Sequence, residues 1–190
     1  MTDDACANNE EVQMTVAGVT LDPTNNMPII ILKDVDDTVA IPIWIGLVEA
    51  SAIATELEGI QLARPMTHDL LKSLLVAMGG KLTRIVVNDL KDGTFYASLY
   101  IERDGESLEV DSRPSDAIAL ALRAGAQIFA TRKVIDSSQQ LDMDALKQVL
   151  GKEEEQGAEG ESKEGKKKDK DRWTEILENL KPEDFGKYKM

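Results

Sequence analysis

Cysteine, histidine and aromatic side chains are all scarce in this chain of 190 residues, which has one Cys, one His and only 4% Phe, Trp and Tyr. The lone Cys6 lies in an acidic, polar leader and can form no disulfide within the chain. That fits a reducing compartment and argues against a thiol nucleophile. One His and one Cys cannot supply a Cys/His zinc set or an HExxH pair. Walker, GxGxxG and GxSxG strings are missing too, which weakens nucleotide-driven and serine-hydrolase readings. The longest apolar runs, MPIIIL and IPIWIGLV, are too short to span a bilayer. The start, MTDDACANNE, has no apolar signal-peptide core. A cytoplasmic protein without membrane contact is expected. Positive charge is in deficit as well: the formal net charge is −13, and the first 150 residues and the remainder are each net acidic. A broadly basic nucleic-acid surface is thereby excluded, so any polyanion site must be a local patch or use a cation.

With 42% apolar and 30% charged residues, the composition is that of a globular domain with a hydrophilic appendage. Residues 1–11 read as a disordered lead and 12–150 as the domain. Residues 151–172 form a charged low-complexity linker, which cannot bury enough apolar surface to order itself. In the tail, 173–190, Trp173, Ile176, Leu177 and Leu180 follow helical spacing ahead of Phe185 and Tyr188. Such a tail suits a peptide that docks in a groove of a protein partner.

Within the domain, VQMTVAGVTLD alternates as a strand with a bend or bulge at Gly18. MPIIILKD is a buried strand. TVAIPIWI is a third, placed at an edge or bulge by Pro42. LVEASAIATELEGI switches to helical spacing, with Val48, Ala52, Ala54 and Leu57 on one stripe and Gly59 as its stop. THDLLKSLLVAMGG is a second helix, with Thr67 as candidate N-cap. KLTRIVVNDLKDG, TFYASLYIERDG and ESLEVD are strands, and Asp104-Gly105 is a hairpin turn. PSDAIALALRAG is a helix with Pro114 at its start and Gly125 past its end. AQIFATRKVI is a last strand and LDMDALKQVL a short closing helix. Three strands and a helix thus occur twice, and Ala52-Ile53-Ala54 echoes Ala117-Ile118-Ala119. The expected fold is α+β: duplicated β-β-β-α units forming a mixed or antiparallel sheet packed with helices.

Two clusters carry chemistry. Arg64-Pro65-Met66-Thr67-His68-Asp69 holds the only histidine, and Asp111-Ser112-Arg113-Pro114-Ser115-Asp116 follows downstream. A helix start favours a neutral imidazole, which suits His68 as a general base activating water. A half-exposed residue helping to close the loop is the plainer reading. Glu49, Asp69, Asp111 and Asp116 lie at or near helix starts. Asp111, Asp116 and Glu49 could hold Mg²⁺ or Mn²⁺ through oxygen. Equally, such acids satisfy helix dipoles, worth roughly 0.3–1 kcal/mol each. Arg64 and Arg113 each precede a proline, which keeps them extended. Each guanidinium then suits bidentate phosphate binding or an ion pair with nearby acids. Thr67 and Ser115 read as supporting helix-start residues.

Four strings in order, IPIWIGLVEASAIATELEG, RPMTHDLL, DGTFYASLYIE and DSRPSDAIALALR, resemble the bifunctional nuclease domain family, over about Val12 to Ile135. The resemblance implies an internally duplicated α+β domain, self-association into a homo-oligomer, and RNA or DNA as substrate. It carries motif positions onto Glu49, Arg64, His68, Asp69, Asp111, Arg113, Ser115 and Asp116. The tail departs from the helical motif that ends many relatives. The reading is a nuclease, with His68 as base or acid and Arg64 and Arg113 on the scissile phosphate. Asp111, Asp116 and Glu49 bind a cation or orient His68, and Asp69 belongs to the same catalytic group. The alternative is a non-catalytic oligomeric interaction module that uses its C-terminal tail.

Overall fold

Runs of β-branched residues, punctuated by Asp-Gly turns and glycine stops, set the elements of the protein. The computed structural model describes residues 10–22 and 26–138. Among them seven strands are formed: β1 (Glu11–Leu21), β2 (Pro28–Asp34), β3 (Ala40–Trp44), β4 (Lys81–Lys91), β5 (Thr94–Arg103), β6 (Glu106–Ser112) and β7 (Gln127–Thr131). The four helices among the described residues are α1 (Leu47–Leu57), α2 (Thr67–Ala77), α3 (Pro114–Ala124) and α4 (Arg132–Ser137). The expected closing helix, the linker and the 173–190 tail lie outside the described residues.

The strands make one sheet in the order β3-β2-β1-β7-β4-β5-β6. Every pairing is antiparallel except β4 with β7. The α+β expectation therefore holds, with β-β-β-α occurring twice and β7 joining the two three-stranded meanders. Pro42 does sit on an edge strand, β3, where a missing N–H costs no ladder bond. Pairing shifts between Val16 and Gly18, the bulge expected at that glycine. Asp92-Gly93 and Asp104-Gly105 turn their hairpins with positive φ at both residues, as a two-residue turn of this hand requires.

Burial follows the apolar pattern. Ile30 and Leu32 of β2, Ile85 and Val87 of β4, Ile53 of α1 and Ile118 of α3 are fully covered. Helices α1 and α3 pack against each other; α1 also covers β1 and β2, and α3 covers β4 and β5.

Four local expectations are corrected. Residues 132–135 are helical rather than a continuation of β7, because the Thr131 hydroxyl caps α4 by accepting the Val134 N–H. Val134 and Ile135 then turn inward and are fully buried. The N-cap of α2 is Met66, not Thr67: Asp69 reaches back to accept the Met66 N–H at 2.8 Å, which fixes the start one residue earlier. The buried face of α1, packed against α3, β1 and β2, is Ala50, Ile53 and Ala54, while Val48 and Leu57 are exposed. Finally, the two Ala-Ile-Ala strings are not equivalent: the first lies two residues deeper into α1 than the second into α3. The duplication lives in the element order instead.

Candidate active site

The starts of α1, α2 and α3 meet. Each helix carries an acid at its third position, namely Glu49, Asp69 and Asp116, where the exposed N–H groups of a first turn favour negative charge. Pro114 occupies the first position of α3 and keeps the N-cap residue Arg113 extended (φ −69°, ψ 144°). From there the guanidinium turns back over its own helix. Its Nε donates to Asp116 Oδ2 at 2.7 Å and Nη2 to Asp116 Oδ1 at 3.2 Å, while Nη1 donates to Glu49 Oε1 at 2.9 Å.

His68 completes the cluster from α2. Its Nε2 lies 3.3 Å from Asp116 Oδ1, and its side chain is only 13% exposed. Among the described residues Nδ1 has no protein partner. Burial opposes ionisation of the Asp116 carboxyl, but the bonds and charge of Arg113, and then of His68, outweigh it and hold the group below the usual range. The same acids push Arg113 up, Asp116 foremost and Glu49 after it. The result is a carboxylate held in its charged form at neutral pH, gripped through both oxygens by a guanidinium and sharing Oδ1 with an imidazole. Such a base, oriented by a third group, is the arrangement general base catalysis needs.

The remaining candidates stand elsewhere. Asp69 turns away from this cluster: its Oδ2 accepts Met66 N–H and its Oδ1 takes Arg123 Nε at 2.7 Å. The Met66 N–H chiefly, and Arg123 after it, depress the Asp69 pKa against the opposing effect of burial. Asp111 is exposed at the end of β6 and joins no ion pair among the described residues. Arg64 is exposed in the loop between α1 and α2, likewise unpaired among the described residues. Thr67 is exposed at the first position of α2, and Ser115 is buried at the second of α3. Among the described residues no three His, Cys, Asp or Glu side chains gather as metal ligands. Glu49 and Asp116 face each other across Arg113, a donor set that does not fit a divalent cation.

Arg123 escapes any reading of the sequence. It is the lone charge in the last turn of α3, where a basic residue ordinarily serves the helix dipole in solvent. Instead its side chain is 3% exposed and reaches α1 and α2. The one signal is its place in an otherwise apolar string, AIALALRAG.

Residues 30–142 match the family described as the bifunctional nuclease domain. An uncharacterized protein of Mycobacterium tuberculosis is 39% identical over 123 residues, covering 65% of this chain and 73% of that protein. Two rice proteins are more distant. Bifunctional nuclease 1 of Oryza sativa subsp. indica is 26% identical over 109 residues, and bifunctional nuclease 2 of subsp. japonica is 26% identical over 111. Those alignments take in 55% and 56% of this chain but 33% and 34% of the rice proteins. No described helix is long and apolar enough to cross a membrane.

Proposed function

Because this chain belongs to the bifunctional nuclease domain family, we propose that it hydrolyses phosphodiester bonds in RNA or DNA, with His68 as the working base or acid. The observation that carries this reading is the contact between the single histidine and Asp116, itself clamped by Arg113. Asp116 fixes the ring through Nε2, so Nδ1 is the atom that takes a proton from the attacking water. Arg113 commits three of its five N–H donors to Asp116 and Glu49, which leaves two for phosphate oxygens. Its side chain is 65% exposed and therefore open to a polymer. Arg64 supplies a second phosphate contact from its exposed loop position. Glu49 sets the direction of Arg113, and Asp69 is a positioning group rather than a catalytic one. Asp116 and Glu49 are taken up by Arg113, and among the described residues they do not gather with Asp111 as ligands for Mg²⁺ or Mn²⁺. The lone Cys6 suits action in the reducing cytoplasm.

The test is cleavage of end-labelled single-stranded RNA and DNA by wild type, His68→Ala and Asp116→Asn, each with Mg²⁺, Mn²⁺ or EDTA. Both variants should lose about 10²- to 10⁴-fold in rate, the usual worth of a positioned acid or base. Equal cleavage by wild type and His68→Ala would remove the histidine from the mechanism. Loss of activity in EDTA alone would restore a cation to it.

A second reading, an oligomeric interaction module without catalysis, is favoured by a different observation. Helix α2 buries none of its side chains, and Leu70, Leu71, Leu74, Val76 and Met78 are all exposed along it. Contiguous apolar surface of this kind marks an interface. The 173–190 tail would add a protein partner. Light scattering of wild type against a Leu71→Glu/Leu74→Glu variant decides it: the reading expects a smaller particle, and an unchanged mass takes this face out of any assembly.

A further inference from the structure

Helix α2 carries His68 yet contributes no buried side chain to the core. No fully buried apolar side chain of α2 fixes where the imidazole stands, and a polar connection contributes to doing so. Arg123 supplies it. From α3 its Nη1 donates to the Ala119 carbonyl and its Nη2 to the Ala52 carbonyl of α1, each at 3.0 Å. Its Nε donates to Asp69 Oδ1 at 2.7 Å, with Glu56 at 3.9 Å beyond. The Arg123 carbonyl in turn accepts Lys72 Nζ, one turn along α2, at 2.6 Å. A guanidinium that is 3% exposed is held in place by these bonds, because a buried cation is tolerated only when its donors are paired. Its fixed fork makes it a rigid strut between three helices. Asp69 also accepts the Met66 N–H, so the strut grips the first turn of α2, and His68 is the residue beside it.

We propose that Arg123 is a positioning residue, acting through Asp69 to hold His68 against Asp116. The inference rests on the nuclease reading only in taking His68 as the working group. Losing the strut lets the start of α2 shift, which parts Nε2 from Asp116. A misplacement of about 1 Å is enough to cost roughly 100-fold in rate.

The chain has a single histidine, so its ring resonances need no assignment. Ring ¹⁵N–¹H spectra of full-length wild type, Asp69→Asn, Arg123→Lys and Asp116→Asn would be compared at one pH. Thr131→Ala serves as control: it removes the cap of α4 and lowers the thermal midpoint without touching α2. Asp69→Asn and Arg123→Lys should lose the bonded Nε2 signature as Asp116→Asn does, and Thr131→Ala should keep it. In cleavage assays the same two variants should lose about 10- to 100-fold in kcat with KM within about twofold. Spectra of Asp69→Asn and Arg123→Lys identical to wild type, beside a changed Asp116→Asn, would overturn the proposal. Loss of the signature in Thr131→Ala would do so too, since general destabilisation would then explain the effect. Absence of cleavage by wild type sinks the nuclease reading alone, and the ring spectra still decide the strut.

Discussion

Asp116 and Asp69 are held below the ordinary aspartate range by neighbours that would be lost on unfolding. Burial works against Asp116, and Arg113 with His68 overcomes it; Asp69 is held low first by the Met66 N–H and then by Arg123. Asp89, in β4, is brought to about 2 by Lys133 and then Lys91. A carboxylate whose folded pKa lies below its unfolded value stabilises the fold above the unfolded value. That contribution fades as pH falls through the folded one. The thermal midpoint should therefore drop as pH falls below the ordinary aspartate range, with the contribution of Asp89 fading last, near pH 2. An Asp69→Asn/Asp116→Asn variant should show a shallower acid limb in the same thermal scans. An unchanged limb would assign acid sensitivity to Asp89 and its like. At this scale the sequence is a good guide wherever a residue's role is local. His68, Glu49, Arg113 and Asp116 are legible because helix starts declare themselves through proline, glycine and acids. Arg123 is not, because its burial depends on α1 crossing α3, which no neighbouring residue announces.

Helix ends show the same division. Gly125 stops α3 with φ +66°, and a Cβ added there would meet nothing within 4 Å. Gly125→Ala should then cost only the left-handed backbone, about 1–2 kcal/mol. Gly80, just past α2, is the opposite case. Its φ is not in the left-handed region, but an added Cβ would sit 2.6 Å from Leu75 Cδ1 and 3.3 Å from both the Leu75 carbonyl and Ile101 Cγ2. Gly80→Ala should cost about 1–3 kcal/mol by crowding α2 against β5. Urea unfolding of both variants, followed by cleavage assays, separates the two. Gly80→Ala should impair activity beyond its loss of stability by tilting the helix that carries His68, and Gly125→Ala should not. Glycines that end helices are visible in sequence. One that is required by close approach is not, since Leu75 and Ile101 reach it only once α2 lies on the sheet.

At the scale of the molecule, the repeat of three strands and a helix is legible because hairpin turns and alternating strands are local. The order of the strands is not. Strand β7 reads as a last addition, and nothing in QIFAT says that it lies between β1 and β4, antiparallel to one and parallel to the other. Its placement is long-range: Glu11 faces Thr131, almost the whole described span apart. During synthesis, each meander can zip as soon as its own three strands emerge, but the two stay unjoined until residues 127–131 have left the ribosome. Their inner edges, β1 and β4, are bare until then, and bare edges invite pairing with other chains. The strand that fastens the halves is thus also the clock for the vulnerable interval of this protein's life, and slow translation ahead of Gln127 lengthens that interval.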